Sequence, residues 1–311
     1  MKNILITGCG GDIAQGIAKI LRLENPDYNL IGCDIHNDHP AEKFFNSCEI
    51  VPRADGKDYF DCIRNVLANH HVELIIPISE AEISSFINNG NMSELNDVPV
   101  LLANEKAIRI GLNKIKTANF LRNNSLCYPW TKLVSEGNPP ETPCILKMIS
   151  GQGSKNLTIV KDHDLVEYYK KTYPNYIWQE LLMPNDQEYT CGLYRTSSGE
   201  IRTICFNRKL QGGLTGSGVV VDNENINEYL YKIAEAIDLK GSINVQLRLT
   251  DKGPVAFEIN PRFSSTVVFR YLLGFQDLVW AIQELLGNEP DTYKEVQSGI
   301  RIYRGSNEII I

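Results

Sequence analysis

The sequence predicts a chain of two fold classes, α/β over its first third and α+β over the rest. Three observations carry this. The first hundred residues alternate apolar strand-like runs with amphipathic helical ones, the pattern of a parallel sheet covered by helices on both faces. Between Pro143 and Glu180 the order is strand, glycine loop, strand, helix, strand. From Tyr189 onward, period-two alternation of apolar and polar residues dominates, as expected for antiparallel strands with one buried face.

Taken in order, Lys2–Thr7 reads as the first strand and Asp12–Leu23 as a helix with Ile13, Ile17, Ile20 and Leu21 on one face. Tyr28–Asp34 and Glu49–Pro52 read as strands, Tyr59–Asn69 as a helix, and Glu73–Ile78 as a buried strand. A helix starts at Glu80, and Val98–Leu102 closes the series as a strand. His70-His71 ends a helix and reads as a surface cap. Asn113–Asn124 is a helix, with Ser125–Pro129 as a linker behind it. Further on, Ile226–Ile237 carries a core-packing stripe at helical spacing, and Thr266–Leu286 is largely helical.

Composition narrows the function classes. A chain of 311 residues holds two or three compact units and buries a sizeable core. A net charge of −7 argues against a nucleic-acid-binding surface, and no apolar stretch is long enough to span a membrane. The start reads as a strand rather than a signal peptide, because Gly8–Gly11 and Asp12 cut the apolar run short. Eight scattered cysteines without a Cys-x-x-Cys pair read as reduced core residues of a cytoplasmic protein, with disulfides or zinc as the minor alternative.

The most specific chemistry lies in two adjoining strands. In Ile243–Leu249, Asn244, Gln246 and Arg248 share the polar face; in Val255–Asn260 the expected apolar face is Val255, Phe257 and Ile259, with Ala256, Glu258 and Asn260 opposite. Thr250-Asp-Lys-Gly-Pro254 is the turn. A hairpin symmetric about Lys252 places Gln246 against Glu258 and Asn244 against Asn260, with Arg262 just past the strand end. One sheet face then gathers a carboxylate and three amide oxygens, hard ligands suited to a Mg²⁺ that stays partly bound to substrate phosphates. An arginine beside them suits a transferring phosphoryl group.

With Asn-x-Gln, a short turn and Glu258-Ile-Asn-Pro-Arg262, the chain resembles the ATP-grasp superfamily, in its carbamoyl-phosphate-synthase-like branch of carboxylate–amine ligases. The resemblance covers residues 113 to 287, more loosely the first hundred. It implies a Rossmann-like N-terminal domain (1–112) followed by a two-subdomain ATP-grasp fold: a small subdomain with a Gly-rich loop (113–183) and a C-terminal subdomain with the metal site (184–311). It implies Gln246, Glu258 and Asn260 as metal or phosphate contacts and Arg262 as the catalytic, transition-state-stabilising arginine.

Three further segments gain meaning beside this. Gly151-Gln-Gly-Ser-Lys-Asn156, between the strands Cys144–Ile149 and Leu157–Val160, lacks the Gly-Lys-Ser/Thr and following helix of a P-loop. It reads either as a hairpin turn or as a mobile loop offering Gly151, Gly153 and Ser154 to phosphates; the resemblance favours the second. Lys147 precedes it as a phosphate-binding lysine, although Met148 stands where the family often has proline. Lys114 matches an early phosphate-contacting basic residue and reads equally as a solvated helix lysine. Trp178-Gln-Glu-Leu-Leu182 and Gln187-Glu-Tyr189 are by themselves ordinary; by resemblance Glu180 and the Leu182 backbone take the adenine and Glu188 the ribose. The glycine-rich Phe206–Gly218 run is either a long hairpin loop or a substrate-facing one, with Arg208 or Lys209, the second catalytic candidate, holding phosphate or carboxylate. Arg270 is a weaker candidate for an acidic substrate.

The implied activity is ATP-dependent carboxylate–amine ligation with ATP and Mg²⁺ (or Mn²⁺), acting on a small carboxylate and an amine, in a chain compatible with a homodimer. Without a glutaminase segment or a second ATP-grasp copy, it is not expected to make carbamoyl phosphate alone. Two rivals remain. A non-catalytic MgATP sensor needs the same residues. A short-chain NAD(P) oxidoreductase is invited by Thr7-Gly-Cys-Gly-Gly-Asp-Ile-Ala14 and Asp34. It also needs a helical Tyr-x-x-x-Lys, and the only match, Tyr128 to Lys132, carries Pro129.

Overall fold

A computed structural model describes residues 1–151 and 157–305. The first sheet is parallel, in the order β3-β2-β1-β4, from β1 (Asn3–Thr7), β2 (Asn29–Asp34), β3 (Ser47–Ile50) and β4 (Leu74–Ile76). Its helices are α1 (Asp12–Glu24), α2 (Tyr59–His70) and α3 (Glu80–Asn88). α2 ends on His71 in the left-handed conformation (φ 48°), and His70 pairs with Glu49 at 2.8 Å. The expected closing strand Val98–Leu102 is shorter. β5 (Glu94–Leu95) and β6 (Val98–Pro99) form a two-stranded hairpin, and only Val100 bridges to Ile75 of the parallel sheet. Pro99 has no N–H for a longer ladder.

α4 (Glu105–Gly111) and α5 (Lys114–Asn123) lead into an antiparallel sheet ordered β7-β10-β8-β9. Its strands are β7 (Thr131–Leu133), β8 (Cys144–Met148), β9 (Thr158–Val160) and β10 (Tyr176–Glu180), with α6 (Val166–Thr172) between the last two. The Asn113 side chain caps α5 by accepting from the N–H groups of Ile115 and Lys116 at 2.9 and 3.0 Å. Lys114 is thereby held in the first helical turn.

The third sheet is antiparallel and six-stranded, in the order β15-β14-β11-β12-β13-β16. It comprises β11 (Glu188–Arg195), β12 (Ile201–Gln211), β13 (Leu214–Val221), β14 (Gly241–Thr250), β15 (Gly253–Asn260) and β16 (Arg301–Tyr303). α7 (Glu224–Ile237) buries Ile226, Leu230, Ile233 and Ile237 against Cys191, Leu193, Ile243, Val245 and Leu247 on one face. Each such side chain contributes about 1.5–3 kcal/mol. α8 (Val267–Leu272) and α9 (Asp277–Leu285) belong to a core with Tyr194, Ile204 and Phe206 from the opposite face. The continuous helix expected over Thr266–Leu286 is thus broken, at Gly274 (φ 92°). α1 joins that same core, and the N-terminal sheet rides on the third one through it. Gly16 lets α1 approach α8, since a Cβ there would lie 3.0 Å from Val268 Cγ2. No helix among the described residues is long and apolar enough to cross a membrane.

The hairpin β14–β15 departs from simple alternation. Gln246 pairs with Glu258 and Asn244 with Asn260, as the symmetric turn predicts, but Leu247 pairs with Ala256. A bulge at Phe257 absorbs the extra residue. A bulge turns neighbouring side chains to one side: Ala256 and Ile259 enter the core, while Phe257 and Glu258 both face the cleft. Of the expected apolar face of Val255, Phe257 and Ile259, only Ile259 stays in that core: Phe257 turns to the cleft, Val255 lies opposite Arg248, and Ala256 takes the inward place.

Candidate active site

A cavity of about 360 Å³ lies between the second sheet and the third. Its wall combines apolar side chains, among them Ile145, Met148, Ile159, Leu181, Leu182 and Leu210, with polar groups of Lys114, Lys147, Gly151, Arg208, Gln246 and Glu258. The period-two pleat explains the polar set: Gln246 and Arg248 of β14, Glu188 of β11 and Arg208 of β12 all project from one sheet face.

Lys114 Nζ donates to the Gly151 carbonyl at 2.9 Å and lies 3.5 Å from Glu258 Oε1. Lys147 is buried on β8, its ammonium 5.7 Å from the Phe257 ring centroid. Burial lowers its pKa to about 8, against the opposing pull of Glu258. Glu188 is clamped: Arg208 Nη2 donates to Oε1 at 2.8 Å and Arg248 Nη2 to Oε2 at 2.6 Å. Arg248 also donates to the Leu182 carbonyl, which sets the backbone of the Leu181–Leu182 wall. The Glu180 carboxylate lines the cavity and accepts from the Trp130 N–H at 3.1 Å.

Arg262 and Asn260 lie behind the cavity and are nearly buried. Arg262 donates to the Phe263 carbonyl at 2.8 Å and to Asn260 Oδ1 at 3.3 Å. Each oxygen expected to hold a metal thus already faces a cation: Arg208 on Gln246 at 2.8 Å, Lys114 on Glu258, Arg262 on Asn260. Hard oxygens gathered where three cationic groups are drawn in suit a divalent ion flanked by phosphate.

Three sequence expectations are corrected. Lys209 is exposed, on the face of β12 opposite Arg208, and is absent from the cavity wall. Strand alternation sends one of two neighbours inward, and that one is Arg208. Arg270 is fully buried, paired with Asp277 at 3.0 Å, and donates to Asn244 Oδ1; neither residue lines the cavity. The Phe206–Gly218 loop is a tight hairpin turning at Gly212 and Gly213 between β12 and β13. Gly153 and Ser154 lie outside the described residues.

Sequence reasoning missed Glu80. It lies 3.6 Å from Arg262 Nη2 and accepts from the Gly151 N–H at 3.2 Å, so the N-terminal unit contributes a carboxylate beside Gly151 and Arg262. Burial raises its pKa, with Arg262 opposing. A signal existed: Glu80 follows β4 at the carboxyl end of a parallel strand, where ligands of open α/β sheets gather.

Two family models match separate parts of the chain. Residues 172–307 match the family described as "ATP-grasp in the biosynthetic pathway with Ter operon", and residues 4–101 match "PylC-like, N-terminal domain". Residues 172–307 thus carry an ATP-grasp domain. The ATP-grasp chain is 22% identical to the carbamoyl-phosphate synthase of Methanobrevibacter smithii, over 93% of its own length and 79% of that protein's. Its fold is shared with N5-carboxyaminoimidazole ribonucleotide synthetase in its ADP complex (TM-score 0.74, 16% identity, 96% of this chain and 80% of that one). It is shared also with biotin carboxylase from Campylobacter jejuni in its β,γ-ATP complex (TM-score 0.71, 13% identity, 96% and 74%). The L-amino acid ligase from Bacillus licheniformis follows (TM-score 0.68, 16% identity, 92% and 74%). ATP-grasp enzymes use ATP with divalent metal ions, and the donors in this cleft are of the matching kind.

Proposed function

We propose that the chain is an ATP-dependent carboxylate–amine ligase that activates a small carboxylate as an acyl phosphate. A carboxylate oxygen attacks the γ-phosphorus and ADP leaves; the amine then attacks the acyl carbon and phosphate leaves. The observation that carries this reading is the lining of one cleft, which joins apolar side chains that fit a base with Lys114, Lys147, Gln246 and Glu258. Glu180 and the Leu182 backbone would meet the adenine and Glu188, steadied by its two arginines, the ribose. Lys147, Lys114 and Gly151 would hold phosphate oxygens, and Arg262, oriented by Glu80, would offset charge on the transferring group. Mg²⁺ held by Gln246, Glu258 and Asn260 would neutralise phosphate charge. The division at 112/113 and 183/184 is supported by the three sheets, each confined to one of the spans.

The nicotinamide alternative has less support. The Gly10 N–H already donates to Asp34 Oδ2 at 2.9 Å, and a Cβ on Gly10 would lie 2.5 Å from the His39 ring. The side chain expected on the ribose and a neighbouring imidazole crowd the loop a pyrophosphate would need.

The deciding experiment is ATP turnover with Mg²⁺, pooled amino acids and small carboxylates, and hydroxylamine as a trap, read by mass spectrometry. ADP, phosphate and a hydroxamate are expected, with turnover lost in Glu258→Gln. Unchanged turnover in that variant would remove the metal assignment. ATP binding without turnover would favour a sensor.

A further inference from the structure

Away from the nucleotide cleft, at the carboxyl ends of β1 and β2, metal-binding atoms converge on one point. Cys9 Sγ lies 3.9 Å from His39 Nε2, and the donor atoms of Cys9, Asp34 and His39 lie within 4.8 Å of one another. Cys48 stands beside them. It is the register partner of Gly32 across β2 and β3, just outside the three-atom cluster itself.

Two glycines make the room. A Cβ on Gly32 would lie 2.9 Å from Cys9 Sγ, so that sulfur occupies the space over Gly32, next to Cys48. The His39 ring likewise fills the space over Gly10. Asp34 is fixed in place by the N–H groups of Gly10 and Ile35, at 2.9 and 2.7 Å. Potential anions are packed together, and an ion of charge +2 would offset their repulsion.

We propose that Cys9, Asp34, His39 and Cys48 form a binding site for a thiophilic divalent cation of the Zn²⁺ class. Two sulfurs, one imidazole nitrogen and one carboxylate oxygen make a four-donor set suited to tetrahedral Zn²⁺ and unsuited to Mg²⁺, which demands oxygen ligands. The ion would tie the loop before α1 to β3 and to the segment after β2. Binding displaces thiol protons, so affinity rises with pH. It has one local cost. His39 Nδ1 accepts from the Ala41 N–H at 3.3 Å, and loading Nε2 moves the ring proton to Nδ1, giving up that long bond. The site is independent of the ligase reading, because none of its four residues lines the ATP cleft.

The test is cobalt titration of the full chain, metal-stripped and kept reduced. One equivalent of Co²⁺ should produce a thiolate-to-metal charge-transfer band and the intense visible bands of tetrahedral cobalt, both erased by Zn²⁺. Cys9→Ser should abolish them. Because Cys9 is buried, His39→Ala provides a milder variant that should weaken binding by about tenfold or more while ATP affinity, the folding control, stays unchanged. Absence of the band at stoichiometric cobalt would overturn the proposal, as would a band indifferent to both substitutions. Reduced protein that refuses cobalt but forms a Cys9–Cys48 disulfide under glutathione disulfide would overturn it too, making the pair a redox couple instead.

Discussion

Lys147 permits a prediction with a magnitude. Its ammonium is buried, and burial lowers its pKa to about 8, while the ordinary lysine value is 10.5. Bound phosphates would restore the charged form, so ATP binding draws on the protonated fraction of the free protein. Below pH 8 that fraction is high, and above it each pH unit removes most of what remains. The apparent Kd for ATP should therefore rise about tenfold between pH 7 and pH 9 at constant salt. Calorimetric or fluorescence titration across that range measures it, with proton uptake on binding near pH 8 as a second readout. Lys147→Arg, charged throughout, should flatten the profile, and Lys147→Met should weaken binding and flatten it as well. A flat wild-type profile, or the same slope in Lys147→Met, would refute the reasoning. Stability runs the other way. The folded pKa is depressed, so the unfolded chain holds more protons between the two values, and the ligand-free protein should gain stability as pH rises through that window.

Two further outcomes follow from the buried charges. Glu80→Gln removes the charge opposite Arg262 but keeps an acceptor for the Gly151 N–H, and it lies outside the nucleotide cavity. Turnover should fall by about ten- to a hundredfold with ATP affinity nearly unchanged; equal losses in both would make Glu80 a fold residue only. Asp277→Ala leaves the fully buried Arg270 without its carboxylate and should cost about 3–5 kcal/mol in urea unfolding.

The order of strands and helices was legible because hydrophobic period reports burial on one or both faces. That reasoning found the parallel first sheet, the α5 helix led by Asn113 and Lys114, and the stripe of α7. It failed where a local device breaks the period. Phe257 was assigned to the core, and the bulge that turns it toward Lys147 leaves no mark in an alternating run. Thr266–Leu286 kept an apolar pattern across Gly274, so the break between α8 and α9 was hidden.

For the site, the sequence by itself determined which residues of β14 and β15 face each other. Pairing in a hairpin follows from the turn and from the strand period, both local properties, and Gln246–Glu258 and Asn244–Asn260 pair as they dictate. The tertiary structure alone decided what stands around them. Arg208 rather than Lys209 enters the cleft, Arg270 and Asn244 are sealed behind it, and Glu80 arrives from the start of α3, 182 positions before Arg262. Such neighbours are set by how α1 and α8 pack and how the sheets dock. Those contacts join distant parts of the chain, so no local pattern encodes them.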